Sequence, residues 1–186
     1  DGTITIAYQA RDSDTDTGTA NPGYVSSTFE YQNALGSYVS IAANQLSAGA
    51  TTNIAVDDVS WTTSTITWTP PAGLSIASSR IRVTVNDNEA ANNTALATSP
   101  TFLIDTVSPV GGSIIIDGSQ TPAVATLTAT DSSTLFMKVS QSSSFADTPS
   151  WSAFSATTSI ALNSNPATVY VQFKDAYNNT SSVFSA

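Results

Sequence analysis

The chain has 186 residues, only 10% of them charged, with 14 acidic against 5 basic side chains and a net charge of −9. Arg11, Arg80, Arg82, Lys138 and Lys174 are too few and too scattered to neutralise a run of phosphates, which excludes nucleic acid and anionic membranes as natural partners. The chain contains no His and no Cys, which removes His general bases, Cys nucleophiles, disulfides and the usual zinc and copper ligands.

Taken in chain order, apolar residues alternate with polar ones in short runs, the mark of half-buried strands. Ile4, Ile6 and Tyr8 form the first run, Phe29 and Tyr31 the next, and Tyr38, Val39 and Ile41 a third. Residues 42–49 suit a short helical turn. Residues 65–69 place Ile66 and Trp68 on one face, and strands over 81–85 and 102–104 complete a first set. Pro109 and the pair Gly111-Gly112 punctuate residues 105–112. A second set follows over 114–116, 124–129, 135–139, 159–162, 169–173 and 182–184. No segment holds helical periodicity for long. The pattern predicts an all-β chain of two tandem antiparallel β-sandwich domains, residues 1–106 and 107–186, joined by a short linker.

The second set repeats the first. IRVTVNDNEAANNT (81–94) matches VYVQFKDAYNNT (169–180): alternating apolar residues, an Asp two positions on (Asp87, Asp175), then Asn-Asn-Thr. AYQARDSD (7–14) aligns loosely with LTATDSS (127–133), placing Asp12 opposite Asp131, and SYVSI (37–41) aligns with SWSAF (150–154). VYVQFKDAYNNTSS is similar to the penultimate-strand motif V-x-V-x-F-x-D-x-x-G-N-x-S of immunoglobulin-like and fibronectin-type-III-like repeats in large bacterial surface proteins. Asn178 stands where Gly is usual, and Asn tolerates the left-handed backbone better than most residues. The resemblance implies an immunoglobulin-like or fibronectin-type-III-like fold and an architectural use. It brings no catalytic motif.

On that fold the first domain begins at its second strand, so its first strand is expected to be missing, and the last strand of the second domain is expected to be short. The chain therefore reads as a window from a longer repeat array, or as a subunit that borrows a strand from its neighbour. The fold also gathers three loops at one pole of the first domain. They carry Asp12, Asp14 and Asp16, then Asp57 and Asp58, then Asp87 and Glu89, seven of the 14 acidic residues. Calcium takes six to eight oxygens, so these seven are the candidate ligands of a calcium ion. The run is not an EF-hand, because Thr17 and Gly23 stand where Gly and Glu are required. The competing reading is solvated turns, or turns in which Asp bonds its own backbone. Asp131 and Asp175, with Asp105 of the linker, mark the equivalent pole of the second domain.

Trp68 and Trp151 read as core anchors, and Trp61 as the best candidate for an exposed aromatic on a sugar-binding surface. Asn92, Asn178 and Asn179 lie in N-x-S/T sequons. Lys138 and Lys174 read as solvent-facing strand positions. An isopeptide bond from either would need a buried acid, and Glu30 and Glu89 lie in the other domain. A glycosidase is the one enzyme class the composition leaves open, but acids crowded in short loops look more like a cation site. The expectation is a non-enzymatic structural repeat of an extracellular, cell-surface microbial protein, forming a stalk, filament or surface layer. Its partners would be copies of itself or neighbouring repeats, with calcium as a possible ion. The alternative is an adhesin or glycan-binding module that uses the first domain's loops on a glycan or host surface. No run is long enough to span a membrane as a helix.

Overall fold

Along β1 (Ile4–Ala10), Ile6 and Ala10 are buried while Thr5, Ala7 and Gln9 face solvent, the two-residue period that a pleated strand imposes. The structure, a computed structural model, describes residues 2–13, 23–89, 93–148, 150–164 and 167–186. It divides into two compact units, Gly2–Asp105 and Thr106–Ala186, each all-β and built from antiparallel sheets.

The N-terminal unit continues with β2 (Tyr24–Gln32), β3 (Tyr38–Ser40), a 3-10 turn (Ala43–Gln45), β4 (Leu46–Ser47), β5 (Ile54–Ala55), β6 (Thr62–Trp68), β7 (Ser75–Ser79), β8 (Ile81–Asn86), β9 (Thr94–Thr98) and β10 (Phe102–Asp105). One sheet has the order β1-β6-β4, a second the order β3-β2-β8-β9 with β5 also pairing β2, and β10 and β7 form a two-stranded third. Ile6, Ile66 and Trp68 from the first sheet meet Phe29, Ile81 and Val83 from the second in one core. Trp68 is fully buried, and its ring stacks on Tyr31 with centroids 5.0 Å apart.

The C-terminal unit comprises β11 (Val110–Asp117), β12 (Ala123–Thr130), β13 (Phe136–Ser140), β14 (Ser152–Ala153), β15 (Thr157–Ile160), β16 (Tyr170–Lys174) and β17 (Phe184–Ser185). Its sheets run β11-β12-β15 and β14-β13-β16-β17. Leu127, Val169, Val171 and Phe173 are at most 1% exposed and form the centre of its core. The sheet β14-β13-β16-β17 has the same connectivity as β3-β2-β8-β9, so the two copies of the Asp-bearing motif fall on equivalent strands, β8 and β16.

Residues 102–104 form the expected strand, β10, which pairs with β7, and a further strand, β9, takes the place beside β8. Pro100 interrupts the run between them, since proline cannot donate to a ladder. The helical turn expected over 42–49 shrinks to Ala43–Gln45, after which the chain crosses to the β1-β6-β4 sheet as β4. Gly49 permits that crossing: a Cβ there would lie 2.1 Å from the Thr65 carbonyl oxygen. The crossing leaves a 510 Å³ cavity lined by Phe29, Glu30, Ile41, Gly49 and Ile66 among others.

Candidate functional site

The acidic loops of the N-terminal unit follow β1, β5 and β8. Asp12 is only 6% exposed, and its backbone N–H donates to the Asp57 carbonyl oxygen at 3.2 Å, tying the first loop to the second. Asp12 and Asp87 line one cavity of 240 Å³ together with Arg11 and Asn93, which brings the third loop to the same pole. Asp58 is exposed, and Glu89 is half-buried. Asp14 and Asp16 lie outside the described residues.

Two of these carboxylates, those of Asp57 and Asp87, are engaged with their own backbone. Asp57 Oδ1 accepts from the N–H of Val59 at 2.8 Å and from the N–H of Ser60. Asp87 Oδ1 accepts from the N–H of Glu89 at 2.9 Å. These are turns in which Asp serves as the local acceptor. Among the described residues, no three of Asp12, Asp57, Asp58, Asp87 and Glu89 bring carboxylate oxygens within 4.8 Å of one another.

Hydrogen bonding lowers several carboxyl pKa values below their ordinary range. The Ser60 and Val59 N–H groups act on Asp57, the Arg82 side chain on Glu30, Ser119 on Asp117, and the Ser140 hydroxyl on Asp147. The Glu30 bond joins cross-strand neighbours, with Arg82 Nε 2.5 Å from Oε2 and the guanidinium 4.1 Å from the Tyr38 ring centroid. A carboxyl with a lowered folded-state pKa contributes stability above its unfolded pKa and loses it as pH falls through the folded value. The melting temperature should therefore hold at neutral pH and decline below about pH 4. A pH-resolved thermal melt that stays flat to about pH 3 would rule this out.

The second copy of the motif makes a tighter turn. Asp175 is fully buried; its Oδ1 accepts from the N–H of Tyr177 at 2.8 Å and of Asn179 at 2.7 Å, and its Oδ2 accepts from Asn179 Nδ2 at 2.7 Å. Asn178 takes the left-handed conformation expected of it, with φ of 71°. A carboxylate oxygen of Asp131 lies within 4.8 Å of one on Asp175. Ser133 Oγ donates to Asp131 at 2.8 Å and accepts from the Ala176 N–H at 3.4 Å, joining the two turns. Composition pointed to the acids of the first unit, whereas the most fully engaged carboxylate described is Asp175. The Asn-Asn-Thr following each Asp was the visible signal.

The tryptophans separate by role. Trp68 is in the core. Trp61 is 58% exposed, with the Arg11 guanidinium 5.1 Å from its ring centroid. Trp151 is not a core anchor: it is half-buried, with Lys138 Nζ at 5.0 Å and Lys174 Nζ at 5.2 Å from its ring centroid. Both ammonium groups lie within cation–π range of its indole. Lys174 Nζ also donates to Asn178 Oδ1 at 2.9 Å. Of the sequon asparagines, Asn92 lies outside the described residues, Asn178 is exposed, and the Asn179 amide is held by Asp175.

No protein family, curated protein or solved structure matches this chain.

Proposed function

We propose that the chain is a non-enzymatic structural repeat of an extracellular microbial surface protein. On this reading its two units are tandem immunoglobulin-like or fibronectin-type-III-like sandwiches within a stalk, filament or surface layer, and its partners are copies of itself or neighbouring repeats. The observation that carries the proposal is the repetition: the sheets β3-β2-β8-β9 and β14-β13-β16-β17 share one connectivity, each with an Asp turn after the equivalent strand. Antiparallel ladders resist extension through many backbone hydrogen bonds, and a Ser/Thr-rich surface of low charge limits non-specific adhesion. Electron microscopy of the native protein tests this. Regular fibres or lattices are expected, and dispersed single particles at every concentration would defeat it.

The adhesin reading is favoured by one observation, the exposed Trp61 with its Arg11 neighbour near the acidic pole. Reproducible glycan-array binding that is lost on Trp61→Ala would establish it over the structural reading.

Calcium at the N-terminal pole belongs to this proposal as a stiffening ion. Asp12 and Asp87 already share a cavity, and Asp87 can offer Oδ2 while Oδ1 stays in its turn. A bound ion stabilises the folded state by mass action, so the melting midpoint in millimolar calcium should exceed that in EGTA by about 5 °C. Equal midpoints would remove calcium from the proposal.

A further inference from the structure

Lys138 of β13 and Lys174 of β16 are two of the chain's five basic residues, and one sheet brings them together. Met137 beside Lys138 and Phe173 beside Lys174 are buried, so both lysines lie on the outer face of that sheet. Lys138 pairs with Gln172 and Lys174 with Phe136, which makes the lysines diagonal neighbours across the ladder. Both converge on half-buried Trp151, with Nζ 5.0 Å and 5.2 Å from its ring centroid. Lys174 Nζ also lies 5.6 Å from the ring centroid of Phe136.

The shared sheet does not require this pair. Lys174 directly precedes its turn Asp, as Asn86 precedes Asp87. Phe136 pairs with Lys174 as Ser26 pairs with Asn86, and Lys138 pairs with Gln172 as Thr28 pairs with Thr84. The N-terminal unit thus builds the same connectivity with Thr28 and Asn86 at the lysine positions. Its own cation on that face, Arg82, is bonded to Glu30. Among the described residues, neither Lys138 nor Lys174 forms an ion pair, in a chain with 14 acidic side chains. Two like charges held at one ring repel each other, and an anion between them relieves that repulsion.

We infer that Lys138, Lys174 and Trp151 form a binding site for a uronic acid residue of an otherwise neutral glycan. Two ammonium groups match one carboxylate, not a run of phosphates. Lys174 gives one of its three N–H donors to Asn178 Oδ1, and the other two are left for the carboxylate. The ring of a uronic acid carries its carboxylate directly, so aliphatic C–H groups meet the rims of Trp151 and Phe136 while the carboxylate meets the lysines. Gln172, opposite Lys138, donates from Nε2 to the Ser181 carbonyl oxygen at 3.0 Å, which leaves Oε1 to accept from a sugar hydroxyl. The net charge of −9 repels densely charged polyanions and so favours isolated carboxylates. The site belongs to the C-terminal unit, involves neither Trp61 nor the acidic loops, and stands whether or not the protein builds filaments.

NMR titration of the full chain tests it, with three probes: methyl glucuronide, its neutral counterpart methyl glucoside, and sodium sulfate. The glucuronide should bind saturably, shift the Trp151 indole N–H and the β13 and β16 amides, and bind at least about tenfold more tightly than the glucoside, from its charge-assisted hydrogen bonds. The double variant Lys138→Gln, Lys174→Gln should lose at least about tenfold in affinity, with a thermal melt confirming that it is folded. The double variant Lys138→Arg, Lys174→Arg should keep most of the binding, and Trp61→Phe all of it. Several results would overturn the inference: no saturable glucuronide binding, shifts confined to the N-terminal unit, equal affinity for the glucoside, or indifference to the double Gln variant. Sulfate binding as tightly as the glucuronide would also overturn it, because the site would then read charge without the sugar.

Discussion

Replacing Trp68 with alanine is expected to cost the N-terminal unit about 3–5 kcal/mol, enough to unfold many domains of this size. Trp68 ends β6, where its backbone pairs with Ile4 on one side and Leu46 on the other, and its side chain is fully buried. Truncation removes the stacking surface for Tyr31 and leaves a cavity between two sheets that are each pinned by their own ladders. Those ladders oppose collapse into the space, so the cost should lie near the upper end of the range. Trp68→Phe should lose well under half as much. It keeps an aromatic ring against Tyr31 and removes an indole N–H that meets no acceptor among the described residues. Urea denaturation, with hydrogen exchange of β1, β6 and β8 to locate the loss, measures both. A loss of less than about 1 kcal/mol for the alanine variant would show that this core is less tightly constrained than its geometry implies.

Asp175→Ala is expected to destabilise the C-terminal unit by about 2–4 kcal/mol. The carboxylate is fully buried and accepts from two backbone N–H groups and the Asn179 amide. Its loss leaves those donors without their acceptor in a turn where Asn178 already holds a left-handed conformation. Asp175→Asn should cost about half as much, by the same reckoning of one retained acceptor oxygen. That oxygen can still serve the backbone, but the new amide nitrogen faces the Asn179 amide as a second donor. Equal losses in the two variants would show that charge, not acceptor geometry, carries the effect.

The strands that could be read from the sequence are those whose side chains alternate between core and solvent. Ile4-Ile6-Tyr8, Phe29-Tyr31, Ile66-Trp68 and Val169-Val171-Phe173 declare themselves because one face of each must be apolar. β9, Thr-Ala-Leu-Ala-Thr, does not: all five of its residues are exposed, and its inward alanines carry little apolar signal. β7 and the two-residue strands β4, β5 and β14 are too short or too polar to show a period. At the acidic pole, the sequence shows which loops carry the acids, but not which carboxylates serve their own turns. Asp57 and Asp87 are in turns because N–H groups two or three residues on fold back to them, a local geometry that composition does not record. Trp151 was misread for a related reason. Its lysine neighbours come from paired strands β13 and β16, and that adjacency exists only once the ladder has formed.

The fit of Gly112 against Phe184 also bears on how two units of like sheet connectivity differ in their packing. Neighbouring repeats of similar sequence are prone to exchange strands while they fold, and the risk rises with their likeness. The two units differ in side-chain volume at one corresponding position, Phe184 opposite Val171 and Ala97 opposite Val83. β11 carries a glycine shaped to a phenylalanine ring, and the corresponding wall of the other half presents Ala97. A side chain at Gly112 would meet the Phe184 ring at once, whereas Ala97 leaves its neighbourhood open, so the C-terminal unit has its close glycine contact where the N-terminal unit has only a methyl group.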